Sequence, residues 1–302
     1  MSKISRFCAD GVNAGHRLGA RTRMTFRVVL DTLSCLNSPY PLIPILMKIA
    51  TWNVNSLKVR LPHVLDWLER ERPDVLALQE TKTEDAKFPQ GELEAAGYQV
   101  RFSGQKTYNG VAVLSRETAE DPVTDLDGLD DPQRRILAVT VGGWRIIDLY
   151  VPNGSEVGSD KYAYKLDWLA RVGNWLRSEM ALHDRVVVLG DFNIAPEDRD
   201  VHDPDAWREK ILCSTPERQA FQDWLDLGLH DAFRLFSQPE RSFSWWDYRM
   251  NGFRRNLGLR IDHILISPRL AEACRACHID VEPRRLGRPS DHAPVVAEFA
   301  GE

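Results

Sequence analysis

A chain of 302 residues, 43% hydrophobic and 27% charged, has ordinary globular composition and length for one large domain or two small ones. No apolar run approaches the roughly 20 residues that cross a bilayer, so no membrane partner is expected. The net charge of −5 argues against indiscriminate polyanion binding, yet leaves room for a nucleic-acid enzyme whose basic residues are clustered.

Residues 1–46 differ from the rest. Lys3, Arg6, Arg17, Arg21, Arg23 and Arg27 face only Asp10 and Asp31, a surplus of four positive charges that leaves −9 for residues 47–302. The zone has no sustained period and ends in SPYPLIP, whose three prolines break regular structure. An Arg-rich leader can be a transit peptide, but an upstream start assigned in error, with Met47 the true start, is the preferred reading. Disorder is expected there. Residues 47–302 are expected to form one catalytic domain.

From Met47 the chain alternates strands and helices. MKIATWNV reads as a strand, and Leu57, Leu61, Val64, Leu65 and Leu68 share one helix face that stops before Pro73. DVLALQE is a short buried strand, a helix around Gln90–Ala96 stops at Gly97, and GVAVLS is a strand. RRILAVTV and WRIIDLYV flank Gly142-Gly143 as a hairpin. Tyr162–Met180 reads as a long helix, RVVVLG as a buried strand, and SFSWWDY, RIDHILIS and APVVAEF as later strands. LAEACRACHI reads as a helix carrying Cys274 and Cys277; without a second cysteine pair, zinc is not expected. Five unpaired-looking cysteines point to a reducing, cytoplasmic setting. Hairpins mixed with βα units indicate an α/β (α+β) chain with mixed sheets rather than one doubly wound parallel sheet.

Four polar clusters are placed at the C-terminal ends of predicted strands: Asn53 and Asn55 in WNVN, Glu80 in LQETK, Asp191 and Asn193 in GDFN, Asp291 and His292 in SDH. Asp262 lies within a fifth, RID. Each alone is as well explained by a turn, a cap or a surface pair. Together they supply what phosphodiester hydrolysis needs. Glu80, Asp291 and Asn53 offer oxygen ligands to a hard cation. Asp191 can take a proton from water with Asn193 beside it, and His292 can stabilise added charge.

The stretches MKIATWNVNSLKVR, PDVLALQETK, YNGVAVLSR, DPQRRI, LYVPNG, VVVLGDFNIAP, FSWWDYR, GLRIDHILIS and SDHAPVVAEF occur in this order. Residues 47–300 thereby resemble the exonuclease III family of AP endonucleases, within the endonuclease/exonuclease/phosphatase superfamily. The resemblance implies a DNase I-like, four-layer sandwich of two packed mixed β-sheets flanked by helices. It implies a DNA-repair hydrolase that cuts 5′ to abasic sites and degrades duplex DNA 3′→5′, with 3′-end cleaning, using Mg²⁺ for which Mn²⁺ can substitute. Its partner is double-stranded DNA with abasic sites or 3′ ends; no obligate protein partner is implied, and a monomer is expected. Glu80 is implied as metal ligand with Asn53 and Asp291 in or near the shell, Asp191 and Asn193 as the groups handling water, Tyr150 as a phosphate contact, and Asp262 as the residue orienting His292. Some relatives have aspartate at Asn55, so the metal count stays open.

Lys58, Arg60, Lys82, Arg134, Arg135, Arg249, Arg254, Arg255 and Arg260 are expected to rim the site as phosphate clamps, with Asn153 also on the substrate side. Trp245, Leu259 and Ile261 are candidates for a slot that accepts a sugar without its base. The alternative is another phosphodiesterase or phosphatase of the superfamily, acting on lipid or inositol phosphates; WWDYR, GLRID and QRR favour DNA. A non-catalytic nucleic-acid-binding module is the third reading, disfavoured because every expected catalytic group is present.

Overall fold

The computed structural model describes residues 45–129 and 131–300. The proposed zone 1–46 therefore lies outside the described residues, apart from Ile45 and Leu46, which already belong to the first strand.

The chain forms two six-stranded sheets. β1 (Ile45–Asn53) leads through α1 (Leu57–Glu71) to β2 (Val75–Gln79). α2 (Gln90–Ala95), β3 (Gln99–Ser103) and β4 (Val111–Ser115) follow. The second sheet begins with β5 (Ala119–Val123), β6 (Ile136–Val141) and β7 (Trp144–Tyr150); α3 (Asp160–Leu182) then crosses over to β8 (Val186–Asp191). Short α4 (Pro204–Trp207) and α5 (Thr215–Leu225) precede β9 (His230–Asp231), a two-stranded ribbon of β10 (Trp245–Trp246) and β11 (Gly258–Leu259), and β12 (Asp262–Ile266). α6 (Pro268–Ala273), β13 (Cys274–Ile279) and β14 (Val295–Ala300) close the chain. The strand orders are β13-β14-β1-β2-β4-β3 and β5-β6-β7-β8-β12-β9. Among the described residues, only β1–β2 and β7–β8 pair in parallel, each across a helical crossover.

Alternation along the strands builds the layers. In β1, Ile49 faces the other sheet while Ala50 and Trp52 face α1 and α2. In β8, Val187 and Leu189 point inward while Val186 and Val188 meet α3 and α5. Strands buried on both faces need no polar positions, which is why they read as unbroken apolar runs. The result is the expected four-layer sandwich. Among the described residues, no helix is long and apolar enough to cross a membrane.

Three expectations are corrected. LAEACRACHI is not one helix: α6 stops at Ala273, and Cys274 opens β13. A bulge between Cys274 and Ala276 puts both cysteines in the inter-sheet core at a three-residue spacing that imitates a helix. Burial raises both thiols, Cys274 to about 11 and Cys277 well above the ordinary range. SFSWWDY forms only a two-residue strand: β10 pairs with β11 over two residues and meets the SDH loop through a single bridge, Trp245 to His292. SDH stands before the N-terminal end of β14, not at a C-terminal end, and Asp262 of RID lies in a strand as expected, opening β12. Those strands run antiparallel to β1 and β8, so their starts meet the ends that carry Asn53 and Asp191.

Candidate active site

Positions of one parity decide what meets at this edge. Ile49, Thr51 and Asn53 share the inner face of β1; Ile146, Asp148 and Tyr150 share that of β7; Val187, Leu189 and Asp191 share that of β8. The inward positions are apolar at one end and polar at the other. Where the apolar filling ends, Asn53, Tyr150 and Asp191 project into the space between the sheets, joined by Glu80 from the end of β2. Gly190 is needed just before Asp191: a Cβ there would lie 1.9 Å from the Leu149 carbonyl oxygen.

Asn53 is fully buried, and its amide nitrogen donates to Glu80 Oε1 and to Asp191 Oδ2, both at 2.8 Å. Its oxygen accepts from the Asn55 backbone N–H at 3.0 Å. What Asn53 turns toward the carboxylates is thus a donor that holds them together. Glu80 Oε2 lies 2.7 Å from Lys82 Nζ, and Lys82 also donates to Asn55 Oδ1 at 2.6 Å. Asn55, Glu80, Lys82 and Asn193 all have left-handed backbone, with φ of 43°, 51°, 52° and 49°. Such strain costs about 1–3 kcal/mol per residue and collects at sites whose geometry matters.

Asp191 is buried, with Oδ1 accepting from the Asn193 N–H at 2.9 Å and Oδ2 lying 3.7 Å from His292 Nε2. Burial, offset by His292 and reinforced by Asp262 and Glu80, pushes its carboxyl up to about 7, the range of a working general base. His292 Nδ1 sits 3.0 and 2.9 Å from the two Asp262 oxygens. Burial opposes its charge, but Asp262 and Asp191 prevail and raise it to about 10, so it is an imidazolium at neutral pH. Burial, and then the Glu80 and Asp191 charges, keep the Tyr150 phenol well above 10, a neutral O–H donor. Arg135 lies 4.7 Å over the Tyr150 ring and donates to its carbonyl at 3.2 Å.

Asp291 accepts from Asn55 Nδ2 at 2.8 Å and from Trp245 Nε1 at 3.1 Å. Despite burial, His292 and these donors hold its carboxyl below the usual range. Trp245 is half-buried and packs against a cluster containing Leu259 and Ile261, which are 0% and 2% exposed. Of the three slot candidates, only Trp245 presents appreciable surface. Asn153 is exposed and donates to Asn193 Oδ1 at 3.0 Å.

Ligand atoms of Glu80, Asp191 and His292 lie within 4.8 Å of one another. A hard divalent cation prefers oxygen ligands, which Glu80 and the neighbouring carboxylates offer. Glu80, Asp191, Asp262 and Asp291 outweigh His292 and Lys82 within the cluster, and Glu80 already draws an ammonium to one oxygen. These residues fit a hard divalent cation.

The basic residues singled out in the sequence fall in different settings. Lys58 and Lys82 line a groove of about 560 Å³ together with Lys87 and Lys106, which the sequence did not single out. Arg134 is half-buried, whereas Arg249, Arg254 and Arg255 are exposed. Arg60 donates to the carbonyls of Asn55 and Pro289. Arg260 is not on the rim: in the short link between β11 and β12 it is 1% exposed and paired with Asp200 and Asp231. Ser290 was also missed. It donates to the Asn53 carbonyl at 2.6 Å and accepts from His292 N–H at 3.2 Å, fixing the loop of Asp291 and His292 to β1. Only its place in SDH could have signalled this.

The model of the endonuclease/exonuclease/phosphatase family matches residues 50–292. Exodeoxyribonuclease III of Haemophilus influenzae is 38% identical over 270 residues, 84% of this chain and 100% of that protein. A solved 3′ phosphatase from Neisseria, NExo, bound to a product DNA hairpin, is 52% identical, with TM-score 0.83 over 84% of this chain and 100% of that one. An AP endonuclease from Archaeoglobus fulgidus is 42% identical, with TM-score 0.81 over 84% and 99%.

Proposed function

Because the chain belongs to the endonuclease/exonuclease/phosphatase family, we propose that it is a Mg²⁺-dependent hydrolase of double-stranded DNA that trims and cleans 3′ ends and cuts 5′ to abasic sites. The observation that carries this reading is the buried Asp191 carboxylate 3.7 Å from His292 Nε2, whose other ring nitrogen is fixed by both oxygens of Asp262. Two groups of opposite role face one position at the sandwich edge. The relatives are a 3′ phosphatase, an exodeoxyribonuclease and an AP endonuclease, which supports DNA 3′ ends and abasic sites as substrates.

In this mechanism Asp191 takes the proton of the attacking water, and Asn193 holds that water in line. His292 and the Tyr150 hydroxyl stabilise charge on the phosphoryl oxygens, while Asp262 keeps the imidazole charged and oriented. Glu80 would hold the cation with Asp291, and Asn53 near its shell; the cation would neutralise charge at the phosphate and the departing 3′ oxygen. Arg134, Arg135, Lys82 and Asn153 hold the DNA backbone, and Trp245, with Leu259 and Ile261 behind it, walls the slot for an extruded sugar.

The test is one set of labelled duplexes, with an abasic site, a recessed 3′ end or a 3′ phosphate, each with and without Mg²⁺. Metal-dependent release from the 3′-end substrates and incision at the abasic site are expected. Failure on all three, with turnover of an inositol phosphate or a lipid phosphodiester, would overturn the reading.

A further inference from the structure

Lys165 of α3 is fully buried beneath the loops that carry Asn153 and Asn193. A buried ammonium is costly unless its charge is matched and its protons are bonded. An ammonium carries three protons, and Lys165 has three acceptors, each from a different segment. Nζ donates to the Asn193 carbonyl at 2.7 Å, to the Asn153 carbonyl at 3.3 Å and to Glu217 Oε1 at 2.5 Å. Glu217 in turn accepts from the Leu212 and Ser214 backbone N–H groups, both at 3.1 Å, and from Ser214 Oγ at 2.6 Å, which ties the start of α5 to the same centre. On their outer side the two loops are joined again, Asn153 Nδ2 to Asn193 Oδ1 at 3.0 Å.

The loops are therefore linked above by their side chains and held below by one buried charge. A methionine of similar length would leave the Asn153 and Asn193 carbonyls without this donor and the Glu217 charge unmatched. A guanidinium is planar and longer, and cannot aim at all three.

We propose that Lys165 is a positioning residue for DNA cleavage: by tying both loops to the capped start of α5 it sets the placement of Asn193 beside Asp191, and of Asn153 beside it. The proposal rests on the reading of Asn193 as the group that holds the attacking water.

The experiment compares five full-length proteins on a recessed duplex with Mg²⁺: wild type, Lys165→Arg, Lys165→Met/Glu217→Gln, Asn193→Ala, and the triple substitution. Removing Lys165 and Glu217 charges together leaves neither buried alone. Thermal melting identifies which variants fold. The paired variant should lose about ten- to a hundredfold in kcat, with KM changed by less than about threefold. In the Asn193→Ala background the same pair should cost little more, because the two act through one group. A paired variant with wild-type kcat, or losses that multiply in the triple variant, overturns the proposal. If the paired variant does not fold, Lys165→Arg decides: reduced kcat at unchanged KM supports the proposal, and wild-type kcat overturns it. Wild-type activity in Asn193→Ala would instead show that the reading of the site had failed, and the proposal would fall with it.

Discussion

Glu80 stands in a left-handed backbone conformation, half-buried, with its two oxygens divided between Asn53 and Lys82. Its removal should leave the fold intact, since it lies outside the apolar core, but should deprive the cation of its chief ligand. Glu80→Ala is predicted to melt as wild type does and to lose about two to three decades of Mg²⁺-stimulated cleavage, on the scale of losing one transition-state electrostatic contact. Retained cleavage at saturating Mg²⁺ would refute the assignment. Asp262 and His292 make a sharper case, because Asp262 touches the imidazole through both oxygens and is itself 1% exposed. Each single substitution, Asp262→Asn or His292→Ala, is predicted to cut kcat/KM strongly, and the double substitution should cost little more than the worse single one. Losses that add as free energies would mean the two residues act separately. The residue types were legible in the sequence, since carboxylates, amides and a histidine announce hydrolytic chemistry. Their contacts were not: nothing in WNVN says that Asn53 would spend its NH₂ group on two carboxylates.

At the scale of elements, β12 carries both a catalytic partner and a buried histidine. Asp262 faces His292, and its neighbour His263 turns the other way, 1% exposed, against the Phe192 and Phe221 rings. Arg260 Nη1 donates to His263 Nδ1 at 3.1 Å, so Nε2 carries the proton and donates to the Ile194 carbonyl at 2.9 Å. Burial and the Arg260 charge lower its pKa from 6.5 to about 4, against the opposing pull of Asp231 and Asp200. Between these values the unfolded chain binds the proton and the folded one does not, so stability rises with pH there. The contribution, about 3 kcal/mol, is complete above pH 6.5 and is lost as the pH falls toward 4. Melting temperatures across this range should fall more steeply for wild type than for His263→Gln; parallel curves would contradict the prediction. The elements themselves were largely readable, because α1, α3 and the buried strands have clear periods. The errors fell where tertiary pairing overrides local pattern: the bulge in β13, and the short ribbon of β10 with β11.

For the whole molecule, the composition break set the expected domain boundary at Met47, but β1 already pairs Ile45 with Ala300. A protein beginning at Ile45 is predicted to melt and to cleave DNA as the full chain does; a lower melting temperature or a slower rate would assign residues 1–44 a role in the domain. By itself the sequence determined the alternation of strands and helices, the mixed sheets, and the set of polar residues available for hydrolysis, because period and residue chemistry are local properties. Tertiary structure alone decided which of them meet. Antiparallel pairing brings the starts of β12 and β14 to the ends of β8 and β1. The nearby carboxylates of Asp200 and Asp231 hold Arg260 in a buried ion network rather than on the rim. Burial moves Asp191 up to about 7 and, against the carboxylates around it, fails to discharge His292. Each of these depends on distances between segments far apart in the chain, and on the low dielectric that packing creates around them.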